Sequence, residues 1–120
     1  FTEIQEGVKV AAGVEVNFRA LDTRDGPWHF DVSGAFSSSR PGLRRTDTLW
    51  KALGKASVLS TQVPDLRLVF LTTDVPVEGS AGALALAAVR GVGTNKPVAD
   101  VIRSRDPDDL GRLAEYALGE

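Results

Sequence analysis

The residues that carry chemistry gather between Glu15 and Lys55. Glu15 and Asn17 share the polar face of an alternating run, "VEVNFRAL". His29, Asp31 and Ser33 share the polar face of the next, "WHFDVS". Two such runs joined by a tight turn pair antiparallel and set these side chains opposite one another. Carboxylates on adjacent strands, together with waters and phosphate oxygens, are the ligands a hard cation such as Mg²⁺ takes. Such a cation neutralises charge on a phosphoryl transition state and lowers the pKa of attacking water. Lys51 and Lys55 follow in a helix-like segment that brings a cation back toward Asp31. Arg40, Arg44 and Arg45 fall in the intervening loop, and forked guanidinium groups suit phosphate. Glu15, Asn17, His29, Asp31 and Ser33 are thus the candidate polar face for a cation such as Mg²⁺ or Mn²⁺, with a lysine of the following helix as a nearby positive charge.

An ordered set of elements has to position these groups. "EGVKV" (6–10) reads as a first strand. In "GVEVNFRALD", Val14, Val16 and Phe18 fall on one face and Glu15, Asn17 and Arg19 on the other. Asp25-Gly26-Pro27 supplies a hairpin turn, and Trp28, Phe30 and Val32 form the apolar face of a third strand. "SSSRPG" is a loop by composition. Thr46 or Asp47 can cap a helix whose apolar stripe is Leu49, Ala52, Leu53, Ala56 and Leu59, with Asp47, Lys51 and Lys55 four apart beside it. Gly54 lies in that helix, where it permits close packing on the sheet. "LRLVFLTT" reads as a buried strand, "SAGALALAAVR" as a small-residue helix with Ser80 as cap, and "PVADVIR" as a last strand. "DPDDLGRLAEYALGE" is a helix opened by Asp106 and Pro107. The order is β-β-β-α-β-α-β-α. Strands joined through helices run parallel, so the expected fold is α/β: one mixed β-sheet flanked by helices.

That order, with an acid on the second strand and another on the third, resembles the PD-(D/E)XK nuclease superfamily. "VEVNF" is similar to its first acidic motif, "HFDVSG" to its second, and "TDTLWKALGKA" to the helix that packs beside the active site. The resemblance spans about residues 6–75. It implies a restriction-endonuclease-like core (β-β-β-α-β followed by α-β-α) and a Mg²⁺-dependent DNA endonuclease domain of a restriction or defence protein. The sequence departs from the motif twice. Ser33 stands where the family has its lysine, and the first acid is either Glu15, slightly early, or has become Asn17. In the family the lysine can come from the following helix, which is where Lys51 and Lys55 lie. The resemblance thus implies Glu15 and Asp31 as ligands for Mg²⁺ or Mn²⁺, Asp31 with Lys51 or Lys55 in catalysis, and Arg40, Arg44 and Arg45 on the DNA backbone. The alternative is a catalytically inactive nuclease-like module that binds DNA or a protein.

Composition bounds these readings. A chain of 120 residues suits one domain over 1–120. It starts at Phe1 and has no Met, which points to a fragment of a longer protein with further domains as partners. The net charge of −2 gives no global attraction to a polyanion, so any DNA contact rests on a local basic patch. The absence of cysteine excludes a disulfide scaffold and cysteine-ligated zinc and fits a cytoplasmic setting. The apolar stretch "AGALALAAV" is too short to cross a bilayer. Two further motifs carry less. "VEGSAG" lacks the Gly-Lys-Ser/Thr of a P-loop, and "DPDD" reads as a cap whose acids complement the helix dipole. Trp50 reads as core or helix-edge packing, with stacking on a base as the alternative.

Overall fold

The computed structural model describes residues 1–33, 42–44, 46–91 and 96–119. The elements follow the expected order: β1 (Thr2–Ala11), β2 (Val14–Leu21), β3 (Pro27–Ser33), α1 (Thr46–Gln62), β4 (Leu68–Thr72), α2 (Ala81–Val89), β5 (Asp100–Arg103) and α3 (Pro107–Ala117). They form one five-stranded mixed sheet in the order β1-β2-β3-β4-β5. β1, β2 and β3 are an antiparallel meander, and β4 and β5 join parallel to β3. The parallel half is the half with helical crossovers, since parallel neighbours cannot be joined by a short turn.

Two cores lie on opposite sides of the sheet. One unites Leu49, Ala52, Ala56 and Leu59 of α1 and Leu86 of α2 with Leu68 and Phe70 of β4. The other unites Trp28, Phe30, Val69 and Ile102 with Leu113 and Tyr116 of α3. Alternation along β4 explains the split, because Leu68 and Phe70 face α1 while Val69 faces α3. Tyr116 stacks on Trp28 at 4.7 Å, and Arg67 lies 4.1 Å over the same indole.

Four local expectations change. Val14 and Val16 pack with the α1-side core, whereas Phe18 packs with the α3-side core, so the three do not share a face. The change falls at Asn17, whose Oδ1 accepts the Val32 N–H at 2.7 Å. The β2–β3 ladder stops one residue away, at Phe18↔Phe30, and Gly7 opposite Asn17 on β1 has φ +59°. A side chain has entered the ladder, and the meander bends there. The β2–β3 turn is also organised differently. Asp22, at its entrance, accepts the N–H groups of Arg24 and Gly26 and the Trp28 indole N–H, which ties the loop to the core. Those bonds, the indole's first, hold the Asp22 carboxyl down at about 2.

Thr46 and Asp47 are both already helical in α1, so neither is the cap. Gly54 is exposed, and a Cβ there would meet nothing within 4 Å, so it has no packing role. Gly54→Ala is therefore expected to raise unfolding stability by about 0.5–1 kcal/mol through helix propensity alone, read as a higher urea midpoint. The close helix approach belongs to Gly82, where a Cβ would stand 2.9 Å from Leu49 Cδ2.

Candidate functional site

The side chain of Asp31 enters the α1 layer because its register partner, Phe70, faces that layer. From α1, the Lys55 ammonium donates to Asp31 Oδ1 at 3.0 Å. The Asp31 side chain is 9% exposed and that of Lys55 37%, so the carboxylate is inside and the ammonium reaches it from the rim. Among the described residues nothing bonds Asp31 Oδ2, and that oxygen is not sealed from water. Lys51, one turn earlier, is exposed and makes no ion pair among the described residues; it does not join Asp31.

Glu15 lies elsewhere. It is exposed and sits across from Lys9 of β1, with Oε1 2.9 Å from where a Gly7 Cβ would stand. Its carboxylate therefore leans toward β1, and β3 is the neighbour on the other side of β2. Asn17 is held by the Val32 N–H. Ser33 is buried beside Thr72 in the register. Thr72 Oγ1 accepts the Leu43 N–H at 3.0 Å and so fixes the short 3₁₀ turn Gly42–Arg44 against the sheet. Arg44 pairs with Asp74 at 3.3 Å, an exposed contact that is worth little in water. Arg40 and Arg45 lie outside the described residues. Among the described residues no three His, Cys, Asp or Glu side chains converge.

His29 lies on the same face of β3, two residues before Asp31. It is buried, and its Nδ1 has no hydrogen-bond partner. Burial, then the charges of Arg19 and Arg67, push its pKa below the ordinary value. A base whose folded pKa is depressed binds fewer protons folded than unfolded. Stability is then full above about pH 6.5 and falls as pH drops toward the folded pKa. His29 is the single histidine, so the urea midpoint is expected to fall between pH 7.5 and 5.5, and His29→Leu is expected to flatten that slope.

A second polar assembly was not legible as such in the sequence. Asp100, on the edge strand β5, is buried. It accepts from Arg90 Nε at 2.9 Å, Arg112 Nε at 2.8 Å, Tyr116 OH at 2.6 Å and the Val101 N–H at 2.7 Å. Burial alone would raise this carboxyl; the bonds from Arg112, Tyr116, Val101 and Arg90 outweigh it and hold it below the carboxylate range. Asp109, also buried, takes the Arg103 N–H and guanidinium and ion-pairs with Arg112. Burial opposes its ionisation, yet Arg103 first and then Arg112 bring it to about 2. Burial and the Asp100 bond push the Tyr116 hydroxyl up to about 12. "DPDD" thus divides its work: Asp106 caps α3, and Asp109 is an internal anchor. The one available signal was the spacing of Asp109, Arg112 and Tyr116, which share a helix face.

These side chains also close the sheet edge. The Val101 N–H goes to Asp100, the Val101 carbonyl accepts from Arg112, and the Arg103 N–H goes to Asp109. An edge strand whose outward groups are occupied resists pairing with another chain.

The chain matches no known family, no curated protein and no solved structure.

Proposed function

We propose that this domain is a metal-dependent DNA phosphodiesterase with a restriction-endonuclease-like core, in which Lys55 replaces the motif lysine absent at Ser33. The contact between Lys55 Nζ and Asp31 Oδ1 carries this reading. It puts a cation from the helix after the motif beside the buried acid at the motif's second position.

The donor set is compatible with Mg²⁺ or Mn²⁺. Such ions use one or two carboxylates and complete their shells with water and phosphate oxygens, and Asp31 keeps Oδ2 available. Asp31 would hold the ion, which when bound supplies a water of lowered pKa and charge neutralisation at the phosphorus. Asp31 also fixes the Lys55 ammonium in direction. Lys55 then places positive charge where a phosphoryl oxygen becomes more negative, and it is already oriented before the substrate arrives. Arg44 would exchange its exposed Asp74 for a phosphate oxygen, a contact indifferent to base sequence.

A second reading has its own support. With Glu15 turned toward β1 and Asn17 taken up by Val32, a single acid remains at the centre among the described residues. A scaffold of this kind would bind DNA or a protein without cutting.

Supercoiled plasmid with Mg²⁺ or Mn²⁺ separates the two. The chain is expected to nick it, and Asp31→Asn, which keeps the side-chain shape, is expected to slow nicking by at least about 100-fold. An Asp31→Asn rate equal to the parent's rejects the catalytic assignment. Binding of DNA without any nicking by the parent favours the second reading.

A further inference from the structure

The crevice along the edge strand β5, between α2 and α3, has no part in the proposed cleavage. β4 leads to α2 on one face and β5 leads to α3 on the other. The crevice lies between these two helices, over β5. Here it has a volume of about 500 Å³, within the range of small-molecule sites. Pro76, Ala83 and Ala87 give it an apolar wall, and Arg90, Arg103 and Arg112 line it as well.

The arginines are preorganised. Arg90 is fastened through Nε and Nη2 to Asp100, and Arg103 through Nε and Nη2 to Asp109 and Asp106. The Asp100 and Asp109 side chains are only 3% and 5% exposed, so they hold the guanidiniums from beneath. The Arg90 and Arg103 side chains are 40% and 43% exposed, and their Nη1 nitrogens have no protein partner among the described residues. Two forked cations thus keep free N–H groups at one crevice, and little rotamer freedom remains to be lost on binding.

We propose that this crevice binds a phosphate monoester, with the oxyanion on Arg90 and Arg103 and the attached body against Pro76, Ala83 and Ala87. The source is either a free mononucleotide or the phosphorylated end of a strand. Arg103 and Arg90 favour phosphate because each offers it charge-assisted N–H groups from Nη1, while Nε and Nη2 are held by the carboxylates. The site stands independently of the Asp31 centre.

The test follows backbone amide shifts of the chain on titration with inorganic phosphate, dAMP, adenosine, and a 5′-phosphorylated or 5′-hydroxyl hexanucleotide. Phosphate and dAMP are expected to shift amides around Ala87 and Arg103, with Kd for dAMP of about 0.1–1 mM. Adenosine and the 5′-hydroxyl strand are expected to bind at least about tenfold more weakly. Arginine substitutions would disturb the buried carboxylates, so the decisive variant is Ala87→Glu, which adds a carboxylate to the exposed wall beside Arg90 and removes no bond to a buried carboxylate. It is expected to weaken dAMP at least about tenfold, whereas Ala88→Glu, exposed on the same helix outside the crevice, is expected to bind as the parent does. No shift with about 10 mM phosphate or dAMP overturns the proposal, as does equal binding of adenosine or an unaffected Ala87→Glu. Repeating the dAMP titration on Asp31→Asn is expected to give the parent affinity, so failure of the nuclease reading leaves this result standing.

Discussion

Asp100→Ala is expected to lower the unfolding free energy by about 3–5 kcal/mol, the largest stability loss of any single substitution considered for this chain. The carboxylate is buried on β5 and gathers Arg90, Arg112, the Tyr116 hydroxyl and the Val101 N–H. Alanine removes every acceptor at once. The Val101 N–H then faces an apolar methyl group, Arg90 loses its counter-charge, and Arg112 keeps only Asp109. Both arginines are partly exposed and recover some hydration, which limits the loss. Asp100→Asn is expected to cost less, since one amide oxygen still accepts. A domain this size holds about 5–15 kcal/mol in total, so the alanine variant is expected to sit at the edge of folding at 25 °C. Urea melts with unchanged slope would register the loss as a lower midpoint.

The same group sets an acid limit. Asp100 and Asp109 are held below their ordinary pKa, Asp109 at about 2. Below about pH 4 the unfolded chain binds protons that the folded chain refuses, so stability falls as pH drops from about 4 toward 2. That window lies well below the one governed by His29. An acid titration of the midpoint is expected to show two separate declines, the lower one weakened in Asp109→Asn.

The order of strands and helices was legible because period-2 and period-3.6 patterns are carried by neighbouring residues. The Val69/Phe70 alternation and the Leu49–Leu59 stripe each report their own burial. Asn17 broke the pattern silently. An amide that accepts a ladder N–H looks in sequence like any polar residue on a wet face, yet it divided Val16 from Phe18. The Asp100 network was hidden for a related reason. Asp109 and Leu110 are adjacent in sequence, and it is the acid that is buried and the leucine that is exposed. That inversion is stable only because arginines from α2, β5 and α3 arrive together, and no local pattern records their arrival. The pairing of a helix lysine with Asp31 was foreseeable from the stripe; which lysine was not. Lys51 and Lys55 differ by one turn, about 6 Å along the axis. Only the depth at which β3 ends decides between them.

That difference makes the sharpest test of the centre. Lys55→Met is expected to reduce plasmid nicking by about 100–1,000-fold, while Lys51→Met is expected to stay within about twofold of the parent. Methionine keeps the length of the chain and its packing but offers no positive charge. A loss of rate alone would be ambiguous, because Asp31 would keep its charge in a nearly buried position without its partner, at a cost of about 1–3 kcal/mol. The double variant Asp31→Asn/Lys55→Met removes that ambiguity. It has no unpaired charge, so its stability is expected to return toward the parent while its nicking stays absent. If the lysine acts as a cation at the phosphate, its chemistry should survive a change of address. Ser33 lies on the same face of β3, two residues or about 6.6 Å beyond Asp31. Ser33→Lys in the Lys55→Met background is therefore expected to recover at least about tenfold of the lost rate. Recovery of stability without recovery of rate would make Lys55 a structural partner of Asp31 and nothing more.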